Sequence, residues 1–320
     1  MKKKAISILI KTVISGTFLF LVIKKIDFRQ LLDIFKNSNI YLVSIGLLVF
    51  IGISFLLAFR WFLILKIYLK NKTSLFYIWK LTMIGLFFNI FLPTSAGGDA
   101  VKIFYLVKED KKKFLPGISV VTDRFIGSLT VLTMGTIGLI FSGIDNLKIK
   151  IFIPSLTFIL ILFYFLFSNS NFARKIYAPF KKILPSFLNE KLTFLYNSFN
   201  FYFREKKLIF LSIISSFFLQ CISILTNFII ASGIMRNFSI PVSVFFVYIP
   251  LIWLSTMIPS IGGLGVREFS YVFFFKSYMG KENAFALSLI FLLSIFIQAI
   301  IGSIIFLIGN LTAAVRKGKF

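Results

Sequence analysis

The chain has 320 residues, is 58% hydrophobic and has a mean hydropathy of +0.94. Soluble domains are nearer half apolar, so this composition excludes an ordinary soluble protein and specifies an integral membrane one. The formal charge of +25 sits mostly in short loops between apolar runs, which fits topology signals and anionic lipid headgroups and argues against a nucleic-acid partner.

In chain order, the N-terminal Met-Lys-Lys-Lys and the apolar run from Ala5 look like a signal peptide. No small-residue cleavage site follows, so the run predicts a retained first helix. Apolar runs long enough to cross a bilayer, about 20 residues, lie near 5–23, 39–59, 117–142, 149–168, 208–233 and 284–309. Segment 26–38 reads as a short amphipathic helix on the outer face. Segment 169–207 mixes Lys191 and other cations with Phe187, Leu188 and Phe194, and reads as amphipathic helices on the inner leaflet.

Stretches 75–108 and 242–279 differ from the spans. Each holds two apolar pieces broken by Pro and Gly, which interrupt helices. The first break runs through Leu92-Pro93 to Gly97-Gly98-Asp99 and Lys102, with Asn89 one turn before Pro93. The second runs from Pro259 through Gly262, Gly263 and Gly265 to Arg267-Glu268. Irregular backbone at membrane depth is tolerated only where protein buries it or it lines a wet cavity. Each stretch therefore predicts a re-entrant helical hairpin. The expected fold is all-α and polytopic, with six full spans and two re-entrant hairpins in a single domain covering 1–320.

The positive-inside rule tests that topology. With a cytoplasmic N-terminus, inside segments 1–4, 60–74, 108–116, 168–207 and 310–320 hold 22 Lys/Arg, outside segments 24–38, 143–150, 234–241 and 279–283 hold 8, and 6 are embedded. Both hairpins must return to the side they entered for this bias to survive. Pro93 and Pro259 are 166 residues apart, and the spans starting near 39 and 208 are 169 apart. The expected organisation is an inverted repeat, about 1–145 and 146–320, with broken helices at corresponding positions.

Ionisable groups inside a membrane cost a few kcal/mol each on insertion scales and face protein or water. Six are candidate site residues: Asp99 and Lys102 at the first hairpin, Asp123 and Arg124 on the span near 117, and Arg267 and Glu268 after the second Gly-rich turn. Each place carries a cation and an anion, so self-neutralising structural pairs are the competing reading. Neighbours i and i+1 do not face each other on a helix, which predicts partners from elsewhere and three clusters meeting in one chamber. Such a chamber suits a lipid headgroup. Arginine binds phosphate bidentately, and the half-helix N-termini near Gly98 and Gly265 offer N–H groups to an anion. Asn89 is placed to bond backbone groups freed at the break. Arg60-Trp61 reads as an interfacial anchor. The single cysteine, Cys221, allows no intrachain disulfide, and the lack of histidine removes the commonest general base and metal ligand. No metal, cofactor or catalytic residue is expected.

These motifs resemble a known family. Arg60-Trp61, Asn89 with Leu92-Pro93 and Gly97-Gly98-Asp99, Asp123-Arg124 followed by Gly127, and Pro259 with Gly262-Gly263-Leu264-Gly265 and Glu268 look like the flippase-like membrane domain of lysylphosphatidylglycerol synthases, which also occurs as stand-alone membrane proteins. Lys102 stands where that family often has arginine. The resemblance implies a multi-pass protein of the inner (plasma) membrane, with both termini cytoplasmic, that moves or helps move a charged lipid between leaflets. The ligand it implies is an anionic or aminoacylated phospholipid. In the bifunctional relatives a soluble aminoacyl-transferase domain follows the membrane domain. The sequence ends at Phe320 without one, so lysyltransferase activity is not carried over. No Gly-rich nucleotide loop is present, and transport is expected to be passive or gradient-driven. Two other functions compete: a membrane-embedded lipid-modifying transferase using paired carboxylates, and a non-transporting partner of a separate lipid-modifying enzyme.

Overall fold

The structure, a computed structural model, describes residues 2–69, 73–91, 97–109, 114–173 and 185–316. Among these the chain is all-helical: α1 (Lys2–Ile23), α2 (Phe28–Asn37), α3 (Ile40–Leu69), α4 (Leu75–Phe91), α5 (Gly97–Glu109), α6 (Leu115–Phe141), α7 (Leu147–Ser168), α8 (Ser186–Phe203), α9 (Lys206–Ile234), α10 (Val242–Ser255) and α11 (Val266–Arg316). Five helices, α3, α6, α7, α9 and α11, are long and apolar enough to cross a membrane, while the apolar part of α1 and helices α4 and α10 are shorter. Pro93 lies outside the described residues, as does the 174–184 part of the predicted inner-leaflet segment. Segment 26–38 forms the amphipathic helix α2, whose first turn is capped by the Asp27 carboxylate accepting from the Arg29 and Gln30 N–H groups.

Both broken stretches fold into helical hairpins. In the first, α5 doubles back on α4, with Gly98 of α5 seated against Gly85 of α4. In the second, Ser270 of α11 donates to Ser255 of α10 at 2.7 Å, and Tyr248 packs on Phe274 and Tyr278, so the arms run antiparallel. The chain turns between them through Gly262, Gly263 and Gly265, at φ 58°, 82° and 83°. Those angles are open to glycine and strained for other residues. Helix α11 reverses again at Gly280 (φ 78°, ψ 163°). Its two arms lie side by side, because Arg267 before the break sits 5.4 Å over the Phe291 ring after it.

The hairpins touch at their tips. A Cβ built on Gly262 would stand 3.4 Å from the Asn89 carbonyl oxygen. The second tip is also pinned to α1, where the Ile261 N–H donates to Ser15 Oγ at 2.9 Å.

The order of elements occurs twice. A helix, a shorter helix, a long helix, a hairpin and a final long arm run through α1–α6 and again through α7–α11. The packing follows this order. The most extensive contact joins α3 to α9, the long helices in equivalent places. Next come α4 on the last arm of α11 and α10 on α6, which exchange with each other when the halves are swapped. Large apolar side chains such as Tyr41, Ile140, Phe141 and Phe158 remain exposed along the outside of the bundle, a surface that suits lipid rather than water.

Close backbone contact between α4 and α11 depends on Gly302, where a Cβ would collide with the Met83 carbonyl. Alanine is the better helix former by about 1 kcal/mol, but overpacking costs roughly 1–3 kcal/mol. Here the obstacle is backbone, which cannot yield by rotating a side chain. Gly302→Ala is expected to lower the melting temperature of the purified protein in detergent. Gly52→Ala in α3, with nothing within 4 Å of the new Cβ, is expected to leave it unchanged or raise it.

Candidate functional site: three embedded ion-pair groups

Among the described residues the six predicted charges sort into three separate groups rather than one network. The first joins α5 and α6. Asp99, in the first turn of α5, accepts from Arg124 Nε of α6, and its other oxygen lies 3.5 Å from Lys102 Nζ, one turn along α5. Asp99 is buried, whereas the Arg124 side chain is 49% exposed. Lys102 stacks 5.1 Å over the ring of Trp61 on α3, a geometry that favours a cation. The Trp61 indole N–H in turn donates to Ser119 Oγ on α6 at 3.2 Å.

The second group was not foreseen. Asp123 turns away from its neighbour Arg124 and takes a two-bond clasp from Arg60, with Nε to Oδ1 at 2.7 Å and Nη2 to Oδ2 at 2.8 Å. The third guanidinium nitrogen, Nη1, donates to Ser216 Oγ of α9 at 3.0 Å, and that hydroxyl meets Thr130 Oγ1 of α6 at 2.6 Å. Arg60 is therefore not an interfacial anchor. It is 4% exposed and ties α3, α6 and α9 together. The sequence signal lay at Asp123, which has no cation at helical spacing on its own helix and so needs one from elsewhere. Gly127 leaves room for the clasp, since a Cβ there would stand 3.0 Å from Arg60 Nη1.

The third group corrects the expectation that adjacent charges look elsewhere. Arg267 Nε donates to Glu268 Oε1 at 3.2 Å, and both side chains are almost fully buried. The neighbour rule describes side chains projecting from a helix. At a helix start Glu268 bends back instead, and its Oε2 accepts the Gly265 N–H at 2.6 Å, as an acid near the N-terminus does in a capping box. That leaves Oε1 within reach of Arg267. The expected anion site at this N-terminus is thus already filled by the chain's own carboxylate.

At the first hairpin the Gly98 N–H is likewise taken, donated to Asn89 Oδ1 at 2.8 Å. Asn89 has the backbone-satisfying role expected of it, and Gly97 and Gly98 lie inside α5 rather than in the turn. Pro259 sits in the second tip, before the three glycines with positive φ. Asp99 and Glu268 each occupy the third position of the helix that leaves a hairpin tip. They differ in their arginine: Asp99 holds a half-exposed one from another helix, Glu268 a buried one from the residue before it. Among the described residues no group of three or more potential metal ligands occurs. A shallow concavity of 390 Å³ at Glu190, Lys191, Phe194 and Leu195 lies on α8, an element that carries none of the embedded pairs.

The Arg60 clasp gives a direct test. Removing one partner of a buried pair leaves an uncompensated charge and costs about 3–5 kcal/mol, whereas replacing both with apolar residues is often near neutral. Arg60→Met is expected to lower the melting temperature in detergent sharply. Arg60→Met combined with Asp123→Leu is expected to recover most of that loss.

Comparison with known proteins adds to this geometry. The family described as the lysylphosphatidylglycerol synthase TM region matches residues 8–302. A UPF0104 membrane protein of Methanocaldococcus jannaschii is 28% identical over 227 residues, spanning 65% of this chain and 66% of that relative. The chain thus covers slightly less than two thirds of that relative's length. No solved structure matches. With the match running through both hairpins and all three ion-pair groups, the chain belongs to the lysylphosphatidylglycerol synthase TM-region family and is a multi-pass membrane protein.

Proposed function

We propose that this protein is a lipid translocase, which moves a charged phospholipid or glycolipid headgroup between leaflets along the embedded charges at the hairpins. In this reading α1, α3, α6, α7, α9 and the last arm of α11 are full spans. The two hairpins are re-entrant and approach from opposite faces, and the halves are an inverted repeat. Both termini lie in the cytoplasm and the protein sits in the plasma (inner) membrane. The reading needs no catalytic residue and leaves lysyl transfer to another protein. A separate lipid-modifying enzyme is the partner it implies.

The observation that carries the proposal is the meeting of the hairpin tips at Asn89 and Gly262, with a charged group at the start of each returning helix. A headgroup in hydrocarbon loses its hydration, and that loss is the barrier to unassisted crossing. Fixed charges and irregular backbone within the bundle replace part of the lost hydration. The twofold element order supports the opposed hairpins, because inverted repeats place discontinuous helices at corresponding points near the midplane. The +25 charge supplies the lysine-rich loops by which the inner face is recognised.

The test is reconstitution into vesicles with fluorescently labelled phospholipid and a reductant that quenches the outer leaflet. Wild-type protein is expected to expose the inner-leaflet pool to quenching. Arg124→Ala is expected to slow that phase about tenfold, the loss of one charge-assisted contact. Equal rates for protein-free vesicles and vesicles holding the wild type would remove the proposal.

A further inference from the structure

Two arginines of the bundle are equally buried and unequally used. The side chains of Arg60 and Arg267 are both 5% exposed. Arg60 commits every guanidinium nitrogen, to Asp123 and to Ser216. Arg267 commits only Nε, which donates to Glu268 Oε1 at 3.2 Å. Among the described residues its Nη1 and Nη2 have no hydrogen-bond acceptor. A polar group left without a partner at such depth is rare in native structures and calls for a reason, such as a bound ion. Neither nitrogen is among the side-chain atoms sealed in without a partner, so open space reaches both.

The surroundings define which edge is open. Nη1 lies 4.0 Å from where a Cβ on Gly263 would stand, so this end of the guanidinium faces the second hairpin tip. The Phe291 ring packs against it at 5.4 Å, a contact that favours the cation and supplies no oxygen. Glu268 is spent, with one oxygen on Nε and the other on the Gly265 N–H. The edge between Nη1 and Nη2 points away from Nε and presents donors only. Met257 and Ile258, just before the glycine turn, are exposed apolar residues that suit acyl chains.

The geometry points to a phosphate site on the Nη1–Nη2 edge of Arg267, where two oxygens of a lipid phosphodiester dock with the acyl chains along Met257 and Ile258. This rests on the translocase reading and narrows it to one group at one tip. A guanidinium edge matches two phosphate oxygens with parallel bonds, which an ammonium does not offer. The N-terminus of α11 takes no part, because Glu268 already accepts the Gly265 N–H. The Arg60–Asp123 clasp, with every nitrogen taken, is structural and touches no headgroup.

The experiment offers the purified full chain equimolar phosphatidylglycerol and glucosyl-diacylglycerol, which has no phosphate, in one detergent and counts retained lipid by native mass spectrometry. Phosphatidylglycerol is expected to be enriched about tenfold, the effect of one charge-assisted bidentate contact. Arg267→Lys keeps the charge but loses the edge, and is expected to lose most of the enrichment. Arg267→Met combined with Glu268→Gln leaves no bare charge and keeps an oxygen for the Gly265 N–H. It is expected to abolish the enrichment while the melting temperature holds. Should that double variant fail to fold, Arg267→Lys decides. Lys191→Gln on α8 is expected to leave the enrichment intact. Equal retention of the two lipids by the wild type, or enrichment that survives Arg267→Lys, would overturn the inference. Displacement of the bound lipid by equimolar inorganic phosphate would overturn the assignment to a lipid. Translocation in vesicles without any such preference would leave the translocase reading standing and sink this one. A preference without translocation would do the reverse.

Discussion

A charge or a bare backbone N–H inside an apolar bundle has no water to fall back on, and the ion pairs and caps of the bundle's interior answer to that. Arg60 has each of its three nitrogens committed, two to Asp123 and one to Ser216. Glu268 divides its two oxygens between a backbone N–H and Arg267. Asn89 spends its carbonyl on the Gly98 N–H. The bonds of Arg60 reach 63 and 156 positions along the sequence, so the demand for partners also decides how the helices assemble. The clasp from Arg60 binds α3, α6 and α9 into one unit, and the α3–α9 contact is the largest among the described residues.

The glycines serve the same demand by another route. Three at the second tip take left-handed angles that let the chain reverse within ten residues of α10 and bring Gly265 to Glu268. Others let backbone touch backbone, as Gly98 does against Gly85 and Gly302 against Met83. Without a large hydrophobic driving force between helices in lipid, close approach through small residues is a main source of packing energy. The hairpins are therefore held by contact as much as by polar bonds.

The legibility of the site varied from residue to residue. Asn89 with the freed amide was readable, because Pro and Gly announce the break and the amide it frees needs a partner. Arg60 was misread. Its position at the end of an apolar run matches an interfacial anchor, and nothing local separates that from a buried residue facing Asp123 across 63 positions. Arg267 and Glu268 were misread for a different reason. The rule that neighbours diverge holds within a helix and fails at its first turn, where a side chain folds back to cap.

What the sequence determined by itself was the solvent, the class of fold and the two breaks. Apolar content, run length and the spacing of Pro and Gly depend on local chemistry, and local chemistry is written in the chain. It also held the twofold order, because repeats survive as offsets between similar stretches. Tertiary structure alone decided the pairing of charges: which carboxylate each arginine takes and how deeply each pair is buried. Partner choice depends on the rotation and depth of helices tens to hundreds of residues apart. Those are set by packing across the whole bundle, and no window of sequence contains them.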